Sequence, residues 1–194
     1  MLVAGIDPGN AGAIALISFN HQIFTEKDLI DMPILKTEGK GKTKKGNIKT
    51  HTVMDEIEIR NFFQTYSMLD HVFLEKAQSM PGQGAPATFN YACNYGIIRG
   101  ILVGLQITYS LIHPSTWKRV MMKDMDRGKD AAIVRAKQLF PNSDIGKKDG
   151  RADALLLAVY GIKDYYDFKP PESKIILHKK LIKKVYNYDQ INHR

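Results

Sequence analysis

The sequence holds one cysteine and one tryptophan in 194 residues. A single cysteine excludes an internal disulfide framework and every zinc module built from several thiolates. The six histidines show neither HxxxH nor HExxH spacing, so a zinc site on one helix face is not expected. No apolar run reaches the ~18 residues of a membrane-spanning helix, so no membrane partner is expected. The opening Met1-Leu2-Val3-Ala4-Gly5-Ile6-Asp7-Pro8-Gly9 meets a turn after a few apolar residues and has no basic leader. No secretion signal is read, and a reduced, cytoplasmic compartment is expected. The chain is 44% hydrophobic and 25% charged, the make-up of an ordinary globular domain with at most an appendage.

The charge is unbalanced at +8, from 28 basic against 20 acidic side chains. The excess sits in two places. Lys36, Lys40, Lys42, Lys44, Lys45 and Lys49 face only Glu38 within 36–49, and the 169–194 segment carries the same net charge. The rest of the chain is slightly acidic. Such runs are often no more than solvated surface. The alternative is contact with phosphate, since positive potential steers polyanions. Too few aromatics accompany the lysines to stack bases.

Short apolar runs read as strands at 2–6 and 13–17, with a weaker one near Ile23-Phe24. The Gly/Lys segment 36–50 lacks periodicity and is expected to be a mobile loop. Val53, Ile57, Ile59, Phe62, Phe63 and Tyr66 have near-helical spacing. His71 to Glu75 reads as a strand, 88–105 as a long apolar helix, 107–112 as a strand closed by Pro114, and 130–140 and 152–165 as helices. Lys169-Pro170-Pro171-Glu172 is the one candidate linker, which divides the chain into a domain at 1–168 and a basic tail at 169–194. Strand hairpins followed by strand–helix alternation predict an α/β fold: a ribonuclease H-like mixed five-stranded sheet flanked by helices.

Two strands end in an acid. Asp7 closes the first apolar strand before Pro8-Gly9, and Glu75 closes another before a Pro/Gly loop. An Asp before Pro is by itself a common turn residue. An ionised carboxylate at the end of a buried strand, however, must be paired or must hold a cation. Asp149 and Asp153 stand at i and i+4, on one face of a helix start. Acids are favoured there by the helix dipole. The apolar run Ala154 to Val159 follows at once and carries that face inward, where two like charges are costly without a cation between them. Carboxylates so placed suit hard divalent ions, Mg²⁺ or Mn²⁺, which also favour phosphate substrates. Two such ions per site can activate water and stabilise the leaving oxygen at phosphorus. Asp7, on the central strand, is the natural bridging ligand.

Five segments together carry a resemblance. They are Gly5-Ile6-Asp7-Pro8-Gly9, Leu74-Glu75-Lys76 with Met80-Pro81-Gly82-Gln83-Gly84, Asn94-Tyr95-Gly96-Ile97-Ile98-Arg99-Gly100, His113-Pro114-Ser115-Thr116-Trp117-Lys118, and Lys148-Asp149-Gly150-Arg151-Ala152-Asp153-Ala154-Leu155. In this order, across roughly 2–165, they resemble the RuvC-type Holliday junction resolvases, particularly the phage-type members of the ribonuclease H-like superfamily. The resemblance implies a homodimer that nicks branched DNA at four-way junctions with Mg²⁺ or Mn²⁺, and Asp7, Glu75, Asp149 and Asp153 as its acids. A phage-encoded chain would act in the host cytoplasm.

This sequence departs from the family at two places. Bacterial members often set the last two acids three positions apart, where Gly150 stands here. They also carry a wedge aromatic shortly after the second acid, near Gln78 here, which leaves Phe89, Tyr91 or the Met80 loop for that role. Lys76, Lys118, Arg119, Lys148 and Arg151 flank the motifs and are expected, with Gln78, Lys42, Lys44 and Lys45, to contact DNA. Trp117 reads as core packing or as a lid over the helix behind it, His113 as a satisfied strand-end histidine and Cys93 as a small buried apolar residue. Gly96, Gly100 and Gly104 recur every fourth residue and either pack the long helix on its own sheet or let a second copy approach. Competing functions are an actin-like ATPase lobe, for which the chain lacks a second lobe, a junction binder without catalysis, and another ribonuclease H-like nuclease.

Overall fold

The computed structural model describes residues 1–42, 44, 46–66, 68–78, 82, 84–125, 128 and 130–167. The expected tail at 169–194 lies outside the described residues, as do Lys45 and most of the Met80 loop. Met1–Ile162 forms one compact unit.

Its centre is a five-stranded mixed sheet in the order β3-β2-β1-β6-β7. β1 (Leu2–Asp7), β2 (Ala13–Asn20) and β3 (Ile23–Asp31) form an antiparallel meander. β6 (His71–Glu75) joins β1 in parallel, with Ile6 opposite Leu74, and β7 (Tyr109–Ile112) joins β6 in parallel, with Glu75 opposite Ile112. β1 is therefore central and buried on both faces, which is why it reads as a continuous apolar run. β3 is longer than its weak signal implied. Its turn from β2 runs through His21 and Gln22, with φ 47° and 67°. These angles suit the right-handed twist of a two-residue hairpin but need no Asn-Gly signature when tertiary packing holds them.

The two sheet faces carry two cores. Ala4, Ile6, Ile14, Leu16, Val72 and Leu74 share one with Ile59, Phe62 and Phe63 of α1 (Glu56–Thr65) and Ile98 and Leu102 of α2 (Ala85–Gly104). Val3, Ala13, Ala15, Ile17 and Phe73 share the other with α3 (Pro114–Met121), α4 (Ala131–Leu139) and α5 (Asp149–Asp167). Strand alternation puts Asp7 with Val3, and Glu75 with Phe73, on the second face.

The expected loop at 36–50 is instead most of an antiparallel ribbon of β4 (Ile34–Lys42) and β5 (Ile48–Met54). Nearly every ribbon residue is exposed on both faces, so no hydrophobic period could mark it. Its register shifts between Glu38 and Lys42, where Gly41 takes φ 95°. β5 claims Val53, and α1 starts only at Glu56, where Asp55 Oδ1 accepts the Glu58 backbone N–H at 3.0 Å. After β7 the His113–Lys118 segment runs into the helix α3, with Pro114 in its first turn and the His113 ring accepting from the Ser115 backbone N–H.

α5 crosses β1 closely. A Cβ at Gly5 would run into the Ala154 carbonyl and the Ala158 amide. Gly5→Ala is therefore expected to cost about 1–3 kcal/mol by overpacking. That lowers Tm by several degrees in calorimetry, at roughly 2–4 °C per kcal/mol. An unchanged Tm would contradict the backbone contact.

Candidate active site

Asp7 and Glu75 stand at the ends of two adjacent parallel strands, one residue beyond the Ile6–Leu74 pair and on the face covered by α5. Asp153 comes from the second turn of α5 and is buried, at 6% exposure. Asp149, at the helix start, is exposed. The turn after β1 folds back on Asp7. Gly12 donates its N–H to the Gly9 carbonyl at 2.9 Å, and the Gly9 N–H donates to Asp7 Oδ1 at 3.2 Å. A Cβ at Gly12 would collide with Asp7 itself. The departure at Gly150 also has a physical cause. A side chain there would strike the Ala11 carbonyl and the Gly12 backbone, so the acid one turn before Asp153 stands at 149.

Burial and neighbouring charge act on Asp7, Glu75 and Asp153 together. Burial pushes the Asp7 carboxyl up to about 6, with Asp153 and Asp149 adding repulsion. Burial likewise pushes Glu75 up to about 7, with Asp7 and Asp153 adding to it. Asp153 is raised by burial and by Asp149, against the hydrogen bond it accepts from Lys118. Lys118 Nζ lies 2.8 Å from Asp153 Oδ2. Its burial favours the neutral amine, but that bond and the charges of Asp153, Glu75 and Asp7 outweigh it and raise the ammonium. The Trp117 Nε1–H donates to Glu75 Oε2 at 2.8 Å. Asp153 Oδ1 is buried and has no hydrogen-bond partner.

Among the described residues, no three acidic, imidazole or thiol groups converge tightly enough to hold one ion. The donor set nonetheless fits a hard divalent cation. It is all carboxylate, it carries charge that burial leaves poorly compensated, and it includes the orphaned Asp153 Oδ1. Mg²⁺ is commonly held by one or two carboxylates with water and substrate phosphate completing its shell, so a preassembled cage is not required.

The basic positions divide. Lys118 and Arg119, joined by Lys123, which the sequence reading missed, line a cleft of about 700 Å³ that also contains Asp149 and Asp153. Lys148 lines a second cleft of about 310 Å³ with Lys147 and Asp149. Lys76, Lys42 and Lys44 are exposed, and Gln78 is half-buried. Arg151 is engaged elsewhere. Its Nε donates to Asp31 Oδ1 at 2.7 Å, and a terminal nitrogen donates to the Asp144 carbonyl and carboxylate at 2.8 and 3.0 Å, tying the start of α5 to the end of β3. The sequence reading also missed Asn10, which accepts from the buried Asn94 Nδ2 at 2.5 Å and so links the Asp7 turn to α2. Tyr91, held only as a wedge candidate, feels the charges of Asp7 and Glu75. Burial first, then those charges, lift its hydroxyl to about 12. Phe89 is exposed, and so, against expectation, is Cys93.

Thermus thermophilus RuvC covers 86% of this chain and 96% of its own, with TM-score 0.58 and 13% identity. The same protein in complex with a Holliday junction substrate gives 0.60 at 11% identity, over 87% of this chain and 97% of that one. The fold is that of RuvC. The yeast mitochondrial Holliday junction resolvase Ydc2 follows at 0.52 and 13% identity, over 86% and 83%. In sequence, the chloroplastic Holliday junction resolvase MOC1 of Chlamydomonas reinhardtii is 31% identical over 94 residues, 46% of this chain. The chain spans only 11% of that protein's length. No protein-family model matches the sequence. Among the described residues, no helix is long and apolar enough to cross a membrane.

The raised carboxyls have a consequence for stability. Their ordinary values are 3.8 and 4.5, and the folded values are about 6 and 7. Between these limits the folded state binds more protons than the unfolded chain, so stability falls as pH rises through them, and the penalty is nearly complete by about pH 8. Asp7→Asn and Glu75→Gln are each expected to raise Tm by a few degrees at pH 8 and to lose that gain at pH 4, followed by thermal unfolding. Added Mg²⁺ should raise the Tm of the wild type more than that of either variant. Equal Tm at both pH values would remove the site's electrostatic basis.

Proposed function

We propose that this chain is a structure-selective endodeoxyribonuclease that resolves Holliday junctions and related branched DNA by metal-dependent phosphodiester hydrolysis. The observation that carries this reading is the cluster of Asp7, Glu75, Asp149 and Asp153 on one sheet end of a RuvC fold, beside a cleft lined with cations. A protein that only binds phosphate gains nothing from buried negative charge facing it.

In this reading Asp7, Glu75, Asp149 and Asp153 hold Mg²⁺ or Mn²⁺, two ions per site. When bound, the ions activate water and stabilise charge on the leaving oxygen. Lys118, Arg119 and Lys148 orient phosphates at the acids, and Lys76 and Gln78 contact the strand beyond Glu75. Arg151 contributes mainly by holding the start of α5, and direct phosphate contact would require it to leave its acidic partners. The domain at 1–168 carries the chemistry, and the 169–194 segment adds basic charge. The working compartment is cytoplasmic, the host's if the chain is phage-encoded.

A four-way junction has near two-fold symmetry, and two opposed cuts need two sites, so the chain is read as a homodimer. Helix α2 supports this. Cβ atoms built at Gly96, Gly100 and Gly104 meet nothing within 4 Å. The glycines therefore face away from their own sheet, whose contacts Ile98 and Leu102 supply. Phe89, Cys93 and Val103 are exposed on the same helix.

The test uses labelled four-way, three-way, flap, linear duplex and RNA–DNA hybrid substrates with Mg²⁺ or Mn²⁺. The wild type should sediment as a dimer on the four-way junction and make paired symmetric nicks. Asp7→Asn, Glu75→Gln, Asp149→Asn and Asp153→Asn should bind the junction and lower nicking by at least 100-fold. Nicking at wild-type rate in the Asp7 or Glu75 variant would sink the assignment. Preferred cutting of the hybrid would make the protein a ribonuclease H.

The lysine ribbon adds affinity. It leaves the sheet at the acid end, since Asp31 pairs with Ala13, which pairs with Asp7, and Met32 N–H bonds the Gly12 carbonyl at 2.9 Å. A two-stranded ribbon with exposed Lys36, Lys42 and Lys44 suits duplex phosphates. Replacing Lys36, Lys40, Lys42, Lys44, Lys45 and Lys49 with Ser should weaken junction binding. The slope of log K against log salt should flatten by roughly 0.9 per lost contact. An unchanged slope would make the ribbon a solvated insertion.

A further inference from the structure

Trp117 is the chain's single tryptophan, and it is fully enclosed. Core packing explains the burial of its ring. It does not explain where the polar edge and the ring face are directed. Nε1–H donates to Glu75 Oε2 at 2.8 Å. The ring face lies 5.0 Å from the Lys118 ammonium, measured from its centroid. That ammonium is 2.8 Å from Asp153 Oδ2. One rigid side chain thus touches the carboxylate delivered by β6 and the cation that steadies the carboxylate delivered by α5. The side chain is itself fixed from behind. His113 caps α3, Pro114 sets its first turn, and Trp117 enters the core as the helix begins.

The chemistry of the indole suits this task. It is a donor only, so it can serve Glu75 solely by meeting an oxygen lone pair. It carries no charge, so it does not compete with a divalent cation as a second lysine would. A ring face under an ammonium adds attraction that a smaller aliphatic residue could not supply.

We propose that Trp117 is a positioning residue of the nuclease site, its N–H fixing the orientation of the Glu75 carboxylate that would hold the divalent ion, and its ring seating Lys118 against Asp153. The proposal rests on the reading of the four acids as metal ligands. Outer partners of this kind commonly tune metal affinity or activity by about 10–100-fold.

Trp117→Phe keeps an aromatic face for Lys118 and most of the packing, and removes the donor. Three measurements on the full chain separate positioning from packing. Mn²⁺ binding to the DNA-free protein, by titration calorimetry, should weaken by about 10–100-fold. The junction Kd in EDTA should stay within about twofold of wild type. At limiting Mn²⁺, kcat should fall while KM for the junction holds, with recovery as Mn²⁺ is raised. A purely structural role would lower Tm and leave Mn²⁺ affinity unmoved. If Trp117→Phe fails to fold, biosynthetic replacement of tryptophan by its benzothienyl analogue decides instead. It changes this one position and swaps N–H for sulfur. A Trp117→Phe protein that binds Mn²⁺ and cuts like wild type overturns the positioning role and leaves the nuclease reading standing. A wild type that neither binds Mn²⁺ nor cuts any branched DNA overturns both.

Discussion

A side chain at position 5 would meet the backbone of Ala154 and Ala158, so α5 crosses β1 there at main-chain distance. Most of the candidate site depends on that contact. It brings Asp153 down onto the strand that carries Asp7, and it seats the first turn of α5 against the turn after β1. The same closeness at Gly150 leaves no room for an acid there and places that acid at 149. Spacing within one helix is thus set by a contact with a turn far away in the chain.

Bringing carboxylates together in a partly dry place is costly, and the neighbourhood shows how the cost is contained. Asp7 and Glu75 are held well above their ordinary values by burial, and each is opposed by one hydrogen-bond donor, Gly9 N–H for Asp7 and the Trp117 indole for Glu75. Lys118 supplies the compensating positive charge and is itself kept protonated by the acids around it. Compensation remains incomplete, because Asp153 Oδ1 is left without a partner. Buried negative charge that the protein does not itself neutralise is what a cation-assisted reaction on a phosphate requires. The stability lost to repulsion and the proposed activity therefore have one physical origin.

Positive charge is arranged on a larger scale than negative charge. The acids occupy one end of the sheet, and the lysines lie around it, on α3, before α5, after β6 and on the ribbon. The ribbon belongs to this arrangement because β3 ends beside the Asp7 turn before the chain runs into β4. Arg151, by contrast, spends its donors within the protein on Asp31 and Asp144. A cation next to a motif in sequence is not thereby directed at the substrate.

The sequence alone marked the central strands, the mixed α/β class and the four candidate acids. Each leaves a local mark: an apolar run stopped by Asp7, another stopped by Glu75, and an i, i+4 acid pair leading an apolar helix. It could not reveal the ribbon, whose residues are exposed on both faces and so carry no hydrophobic period, nor the length of β3, whose hairpin turn uses His21 and Gln22 in place of glycine. Nor could it show that Cys93 and the α2 glycines face outward, since a helix apolar on most sides does not state which side its own sheet takes. Asp31, Asn10 and Glu75, which pair with Arg151, Asn94 and Trp117, lie 120, 84 and 42 residues from them. Hydrogen bonds over such separations leave no periodicity, and only the packing of α5, α2 and α3 on a common sheet decided them.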